Sequence, residues 1–204
     1  LKKRGLGLFH SDVFWAPEWS SLAGWQNPRL PDVKYTRTEY LEKGVWKYRQ
    51  TYETPIGKIT GVLMTNPMEY VAVADTPEEY LIKQPSDWRV VNYIIKGILN
   101  NLVSRYKHFE IAEDELGDNG IVILLSVGKT AWQKAWTELA GPERAIIDFH
   151  EQPEEVQEYI DLHRRWHTRL AELAAGCPAK WVNIGENISD ITSPKYYREY
   201  CLPI

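Results

Sequence analysis

Two acids and an amide stand close together near the end of the chain: Glu186, Asn187 and Asp190, within "GENISD" at 185–190. They follow a short apolar run, Trp181, Val182 and Ile184, which stops at Gly185. A carboxylate pair at such a point can bind a metal ion or move a proton, with Asn187 orienting a substrate. The competing reading is a solvated loop in which Asp190 or Thr192 caps the next helix. A second apolar run ends in Phe9-His10-Ser11-Asp12. His10 there suits a proton carrier or a ligand; the alternative is a surface histidine near a terminus.

The remaining reactive types carry less. His163 and His167 lie four apart, a spacing able to hold zinc, but only Arg164, Arg165 and Trp166 stand between them. The acid of an H-E-x-x-H site is missing, so a metal role is not expected there. Gly128-Lys129-Thr130 looks like the end of a phosphate loop, yet position 123 is Ile rather than the required glycine. The P-loop is rejected, and Lys129 stays as a cation able to reach an anionic substrate group. Trp15, Trp19 and Trp25 sit in a segment broken by Pro and Gly. They suit an aromatic pocket or a subunit contact, whereas Trp132, Trp136 and Trp166 recur at helical spacing and read as core. Cys177 and Cys201 form no C-x-x-C pair, which favours free thiols in a reducing, cytoplasmic setting.

The elements that must hold these groups follow from periodicity. Val156, Tyr159, Ile160, His163, Trp166, Leu170 and Leu173 predict a helix over 153–175, capped at Gly176. Trp88, Val91, Ile94, Ile95 and Ile98 predict another over 87–101, and Trp132, Ala135, Trp136 and Leu139 a third over 130–140. Alternation over 45–53, the turn Thr54-Pro55-Ile56-Gly57 and the return over 58–64 predict an antiparallel hairpin. Trp46, Tyr48 and Tyr52 fall on one of its faces. The runs 121–127, 181–185 and 6–9 are apolar on both faces, as in a parallel sheet covered by helices. A short segment at Ile146-Ile147 and a helix over 194–202 complete the second half. Proline marks helix starts at Thr76-Pro77-Glu78-Glu79, Gln84-Pro85-Ser86-Asp87, Gln152-Pro153-Glu154-Glu155 and Ser193-Pro194, with Thr76 and Glu79 as a capping box. The strand–helix alternation predicts an α/β protein whose reactive groups lie beyond the carboxyl ends of its strands.

Composition sets the outer limits. Of 204 residues, 44% are hydrophobic and 25% charged, and the formal net charge is −4 with both signs interspersed. That disfavours a nucleic-acid surface, which needs a clustered basic face. No apolar run reaches the roughly 18 residues of a membrane span.

Four segments, taken in order, resemble the uroporphyrinogen decarboxylase superfamily: "YETPIGKITGVL" (52–63), "PSDWRVVNYIIKG" (85–97), "GDNGIVILLSVGKTAWQKAWTELAGPERAIIDFHEQPEEV" (117–156) and "WVNIGENISDITSPKYYREYCLP" (181–203). The likeness runs from about residue 45 to the end and is closer to the branch of cobamide-dependent methyltransferases. It implies a (β/α)₈ TIM barrel, with 1–204 its N-terminal portion and the hairpin at 45–64 an excursion. A whole barrel takes ~250 residues, so a chain truncated at its C-terminus is expected. Decarboxylases of this superfamily grip substrate carboxylates with a Met-Arg-Gln-Ala-Gly-Arg-Tyr motif. The corresponding residues Phe9 to Trp15 contain no arginine, which disfavours a porphyrinogen substrate.

By resemblance, the expected activity is methyl transfer from a small methylated donor to a corrinoid protein. The alternatives are uroporphyrinogen decarboxylation and a non-catalytic barrel that binds a corrinoid protein or small ligand. Glu186 would hold zinc or act as general acid on the donor's leaving heteroatom. Asp190 would be its partner or the proton acceptor, and His10 an auxiliary ligand or acid. Asn187, Asp12, Trp15 and Lys129 would contact substrate. The remaining zinc ligands are expected from a His-containing motif that does not occur before Ile204. A homo-oligomer is also compatible.

Overall fold

A computed structural model describes residues 8–12, 30–65, 76–102, 106–124, 129–177, 181 and 190–202, with 8–12, 108 and 124 described by backbone alone. The strands fall into two open sheets. Strand β1 (Leu8–Asp12) pairs in parallel with β6 (Gly120–Leu124), from Leu8 opposite Gly120 to Asp12 opposite Leu124. Strands β2 (Lys34–Glu42), β3 (Val45–Thr54), β4 (Gly57–Met64) and β5 (Thr76–Glu79) form an antiparallel sheet in that order. This is a mixed α/β architecture, and among the described residues neither sheet closes into a barrel.

Turn chemistry builds the antiparallel sheet. Lys43 and Gly44, with φ of 50° and 79°, form the two-residue link between β2 and β3. Both central residues have positive φ, as a type I′ hairpin requires. The expected β3–β4 hairpin is present, and it belongs to a sheet separate from the parallel pair. Tyr48 and Tyr52 are buried as the alternation predicts, but Trp46, on the same face at the far end, is 57% exposed. Lys47 is buried against its parity because Glu42 and Glu78 take its ammonium at 2.6 and 2.5 Å.

Several expectations need correction. Thr76–Glu79 starts no helix; it is strand β5, paired with Val62–Met64 across a bulge. Pro77 is tolerated there because β5 is an edge strand. Residues 146–147 form no separate segment: they lie within α4 (Gly141–Glu151), with Ile146 and Ile147 on its exposed side. Gly141, at φ 76°, makes the turn into α4, where a Cβ would stand 2.6 Å from the Tyr80 ring. The first strand runs beyond Phe9 to Asp12, so His10 is a strand residue opposite Val122 and does not follow the strand. Of the run expected at 121–127, the described part spans Gly120–Leu124. Of that at 181–185, only Trp181 is described, and it is exposed.

Helix α1 (Trp88–Asn101) follows a short 3₁₀ turn, Pro85–Asp87, and its predicted apolar face is buried. The Asp87 carboxylate accepts from the backbone of Lys83 and Gln84 at 2.8 and 3.1 Å, at the helix start that Gln84-Pro85-Ser86-Asp87 predicts. Helix α2 (Tyr106–Leu116) has no counterpart in the periodic signals. Helix α5 (Glu154–Ala175) ends at Gly176 as read. It packs along α1, fixed by Arg89 on Glu155 at 2.7 Å and by the Asn92 amide, which donates to the Glu155 carbonyl. One core joins both sheets and the helices, from Tyr52 and Ile59 through Trp88, Ile94 and Val122 to Trp132, Phe149 and Tyr159. No helix among the described residues is long and apolar enough to cross a membrane.

Candidate functional site at the turn after β6

The parallel register directs the carboxyl ends of β1 and β6 to one edge, where active sites of α/β folds assemble. Asp12 stands at that end of β1 with His10 in mid-strand, while Lys129 and Thr130 lead into the next described helix after β6. Thr130 caps this helix, its hydroxyl accepting from the Gln133 N–H at 3.4 Å. Helix α3 (Ala131–Lys134) passes directly into a π-helical turn, Ala135–Leu139. Such widened turns occur frequently at functional sites.

The widened turn gathers three charges. Glu138 receives Lys129 and Lys134, each at 2.9 Å, and Lys129 also donates to the Thr137 hydroxyl at 3.1 Å. The side chains of Lys134 and Glu138 are only 10% and 19% exposed. Burial pushes the Glu138 carboxyl up, but the two ammoniums outweigh it and hold the group below the usual carboxylate value. Burial pulls Lys134 below the ordinary lysine value, and Glu138 opposes that shift. The cluster therefore carries one net positive charge in a poorly hydrated place, with Lys129 as its more exposed member.

Helix α5 closes this region. The Tyr159 hydroxyl donates to the Ala131 carbonyl at 3.1 Å. The His163 ring lies 4.7 Å from that of Tyr159 and 5.8 Å from that of His167. Burial drives His163 far below the ordinary histidine value, with His167 and Lys134 acting in the same direction. Its Nδ1 has no hydrogen-bond partner. His167 Nδ1 is 3.0 Å from the His163 carbonyl oxygen. These are core histidines, and among the described residues no group of three His, Cys, Asp or Glu side chains could hold a metal ion.

The last segment is tied to the same turn. The Trp132 indole N–H donates to the Thr192 hydroxyl at 3.0 Å, and Thr130 Oγ1 lies 3.5 Å from Cys201 Sγ. The helical stretch here is α6 (Pro194–Tyr196) followed by a second π-helical turn, Tyr197–Cys201. Its cap is Ser193, which accepts from the Tyr196 N–H at 3.2 Å; neither Asp190 nor Thr192 takes that part. Thr192 is buried and serves Trp132 instead.

Among the sequence-predicted site residues, Lys129 lies in the charge cluster and Asp190 is exposed in the turn before Ser193. His10 and Asp12 are described by backbone only, and Glu186, Asn187 and Trp15 lie outside the described residues. No disulfide joins Cys177 and Cys201, as expected. Two surface hollows, of about 430 and 390 Å³, are lined by none of these predicted residues; one lies at Tyr80 and Gly141, the other at Arg165 and Arg169. Glu138 and Lys134 were missed from the sequence, although their i,i+4 spacing was the available signal. Asp148 was missed too: fully buried, it accepts from the Trp88 indole at 2.8 Å and pairs with Arg144. Comparison of the chain with protein-family models, with curated proteins and with solved structures finds no match.

Proposed function

We propose that this chain belongs to a (β/α)₈ barrel of the uroporphyrinogen decarboxylase superfamily and serves methyl transfer from a small methylated donor to a corrinoid protein, in a cytoplasmic setting. What supports the reading is a parallel pair of strands, β1 and β6, that end side by side, followed by α3, where Trp132 is bonded to Thr192, six residues beyond Glu186. In a barrel, reactive groups come from the carboxyl ends of several strands.

In this proposal the donor's carbon–heteroatom bond breaks as its methyl group passes to the corrinoid. Glu186 gives the departing heteroatom a proton, as a general acid. Asp190, exposed to solvent, partners Glu186 and returns a proton from water to it after the transfer, and His10 assists. Asn187, Asp12 and Trp15 contact the donor. Lys129 reaches an anionic group of the donor by exchanging its contact with Glu138. Were zinc bound, Glu186 would be one of its ligands and the metal would activate the leaving heteroatom in place of the acid; among the described residues no group of three side chains could complete such a site.

The test is incubation with cob(I)alamin and a panel of methylated amines, thiols and ethers, read by the visible absorbance of methylcobalamin. Uroporphyrinogen turnover in its place would move the chain to the decarboxylases. Corrinoid binding without turnover would leave a non-catalytic barrel.

A further inference from the structure

We propose that β2 is a homodimerisation edge, pairing antiparallel with β2 of a second copy about a two-fold axis at Thr38. The inference is independent of the proposed activity. Strand β2 is nine residues long, lies at the edge of its sheet and is exposed at every position except Tyr35 and Tyr40, which are half-buried. A long edge that no other strand covers among the described residues is a template for another strand, and folds that avoid such pairing blunt it. The charges on β2 do the opposite.

The hydrogen-bonding parity comes first. The two-residue link at Lys43-Gly44 makes Glu42 and Val45 a hydrogen-bonded pair. Such pairs alternate along an antiparallel ladder. The even-numbered residues of β2 therefore spend their backbone groups on β3, while Tyr35, Arg37, Glu39 and Leu41 turn theirs outward.

The sequence "KYTRTEYLE" (34–42) is self-complementary about Thr38. In the two-fold pairing Arg37 faces Glu39 of the second copy and Lys34 faces its Glu42. Leu41, 57% exposed in the single chain, faces Tyr35. The pairs 37–39 and 35–41 both join outward-turned residues, so each exchanges two backbone hydrogen bonds. Moving the axis to residue 37 sets arginine against arginine, and moving it to 39 sets glutamate against glutamate, which opposes pairing. These side chains already form ion pairs inside the chain, Arg37 with Glu39 at 2.8 Å and Glu42 with Lys47 at 2.6 Å. Dimerisation therefore extends existing ion pairs rather than stranding charges, and it covers Leu41.

Sedimentation of the chain at micromolar concentration tests this, with Arg37→Glu and Glu39→Arg made separately. Wild type should be a dimer. Each variant sets like charges opposite each other twice, and its dimer dissociation constant should rise at least about tenfold. An equimolar mixture of the two variants places opposite charges at both contacts and should associate as wild type does. A misfolded variant would not be restored by its counterpart, so the mixture separates lost pairing from lost fold. Lys34→Glu with Glu42→Lys repeats the experiment on the other face of the strand. A monomeric wild type, variants that associate as tightly as wild type, or mixtures that stay apart would each overturn the proposal.

Discussion

Replacing Glu138 with Gln probes the charge cluster after β6. The change keeps volume and one hydrogen-bond acceptor but leaves Lys134, only 10% exposed, without its carboxylate. Removing one partner of a buried ion pair costs about 3–5 kcal/mol, whereas exposed pairs contribute about 0–1 kcal/mol. Glu138 is 19% exposed and the amide still accepts from one lysine, so the expected loss is about 2–3 kcal/mol. For a chain of this size that lowers Tm by roughly 4–12 °C. Thermal and urea unfolding at neutral pH measure both. The pH dependence supplies a second check. Because the folded carboxyl is held below its ordinary value, its contribution is complete above the ordinary glutamate range and is lost as pH falls through the depressed value. The gap between wild type and variant should therefore close on acidification. A loss under about 0.5 kcal/mol, or a gap that does not narrow in acid, would refute the claim that Glu138 neutralises a buried lysine.

Asp148→Asn removes a fully buried carboxylate from the partly exposed Arg144 and should cost about 2–4 kcal/mol in urea unfolding. Trp132→Phe removes the bond to Thr192 and should cost about 1–2 kcal/mol. Amide exchange should then quicken at 190–193 and stay unchanged in the middle of α5. His163 is held neutral by burial, so its folded value lies below the unfolded one and stability should fall as pH drops below ~6.5. His163→Phe should flatten that acid limb, as read by urea midpoints at neutral and mildly acidic pH.

Strong apolar periodicity was legible in the sequence. Helices α1 and α5 and the β3–β4 hairpin stand where their patterns predict, because each buries a continuous face. Strand β2 was not legible, since exposed Lys34, Arg37, Glu39 and Glu42 leave it no apolar alternation; Lys43-Gly44 was its one signal. Helix α2 was hidden for a similar reason, with Phe109 its only fully buried hydrophobic residue. Thr76-Pro77-Glu78-Glu79 carries a local helix-start signal that pairing with β4 overrides. Gln84, extended before Pro85, also bars a helix from running on into α1. Ile146-Ile147, exposed apolar residues on a helix, imitate a short separate segment, whereas Gly141-Pro142-Glu143 marks the true start of α4. At the site, Lys129 was found through its place after a strand. The i,i+4 spacing of Lys134 and Glu138 hints at their pair, but the contact of Lys129 with Glu138 appears only in the folded turn.

Glu186→Gln tests the central claim most directly, because it removes a proton donor while keeping shape. It is to be measured alongside wild type by methylcobalamin formation from cob(I)alamin and the methylated donors, with circular dichroism confirming the fold. The proposal predicts turnover by wild type and its abolition in the variant, with unchanged helical signal. Methyl transfer at the wild-type rate by the Gln variant, or none by wild type with any donor, would contradict it.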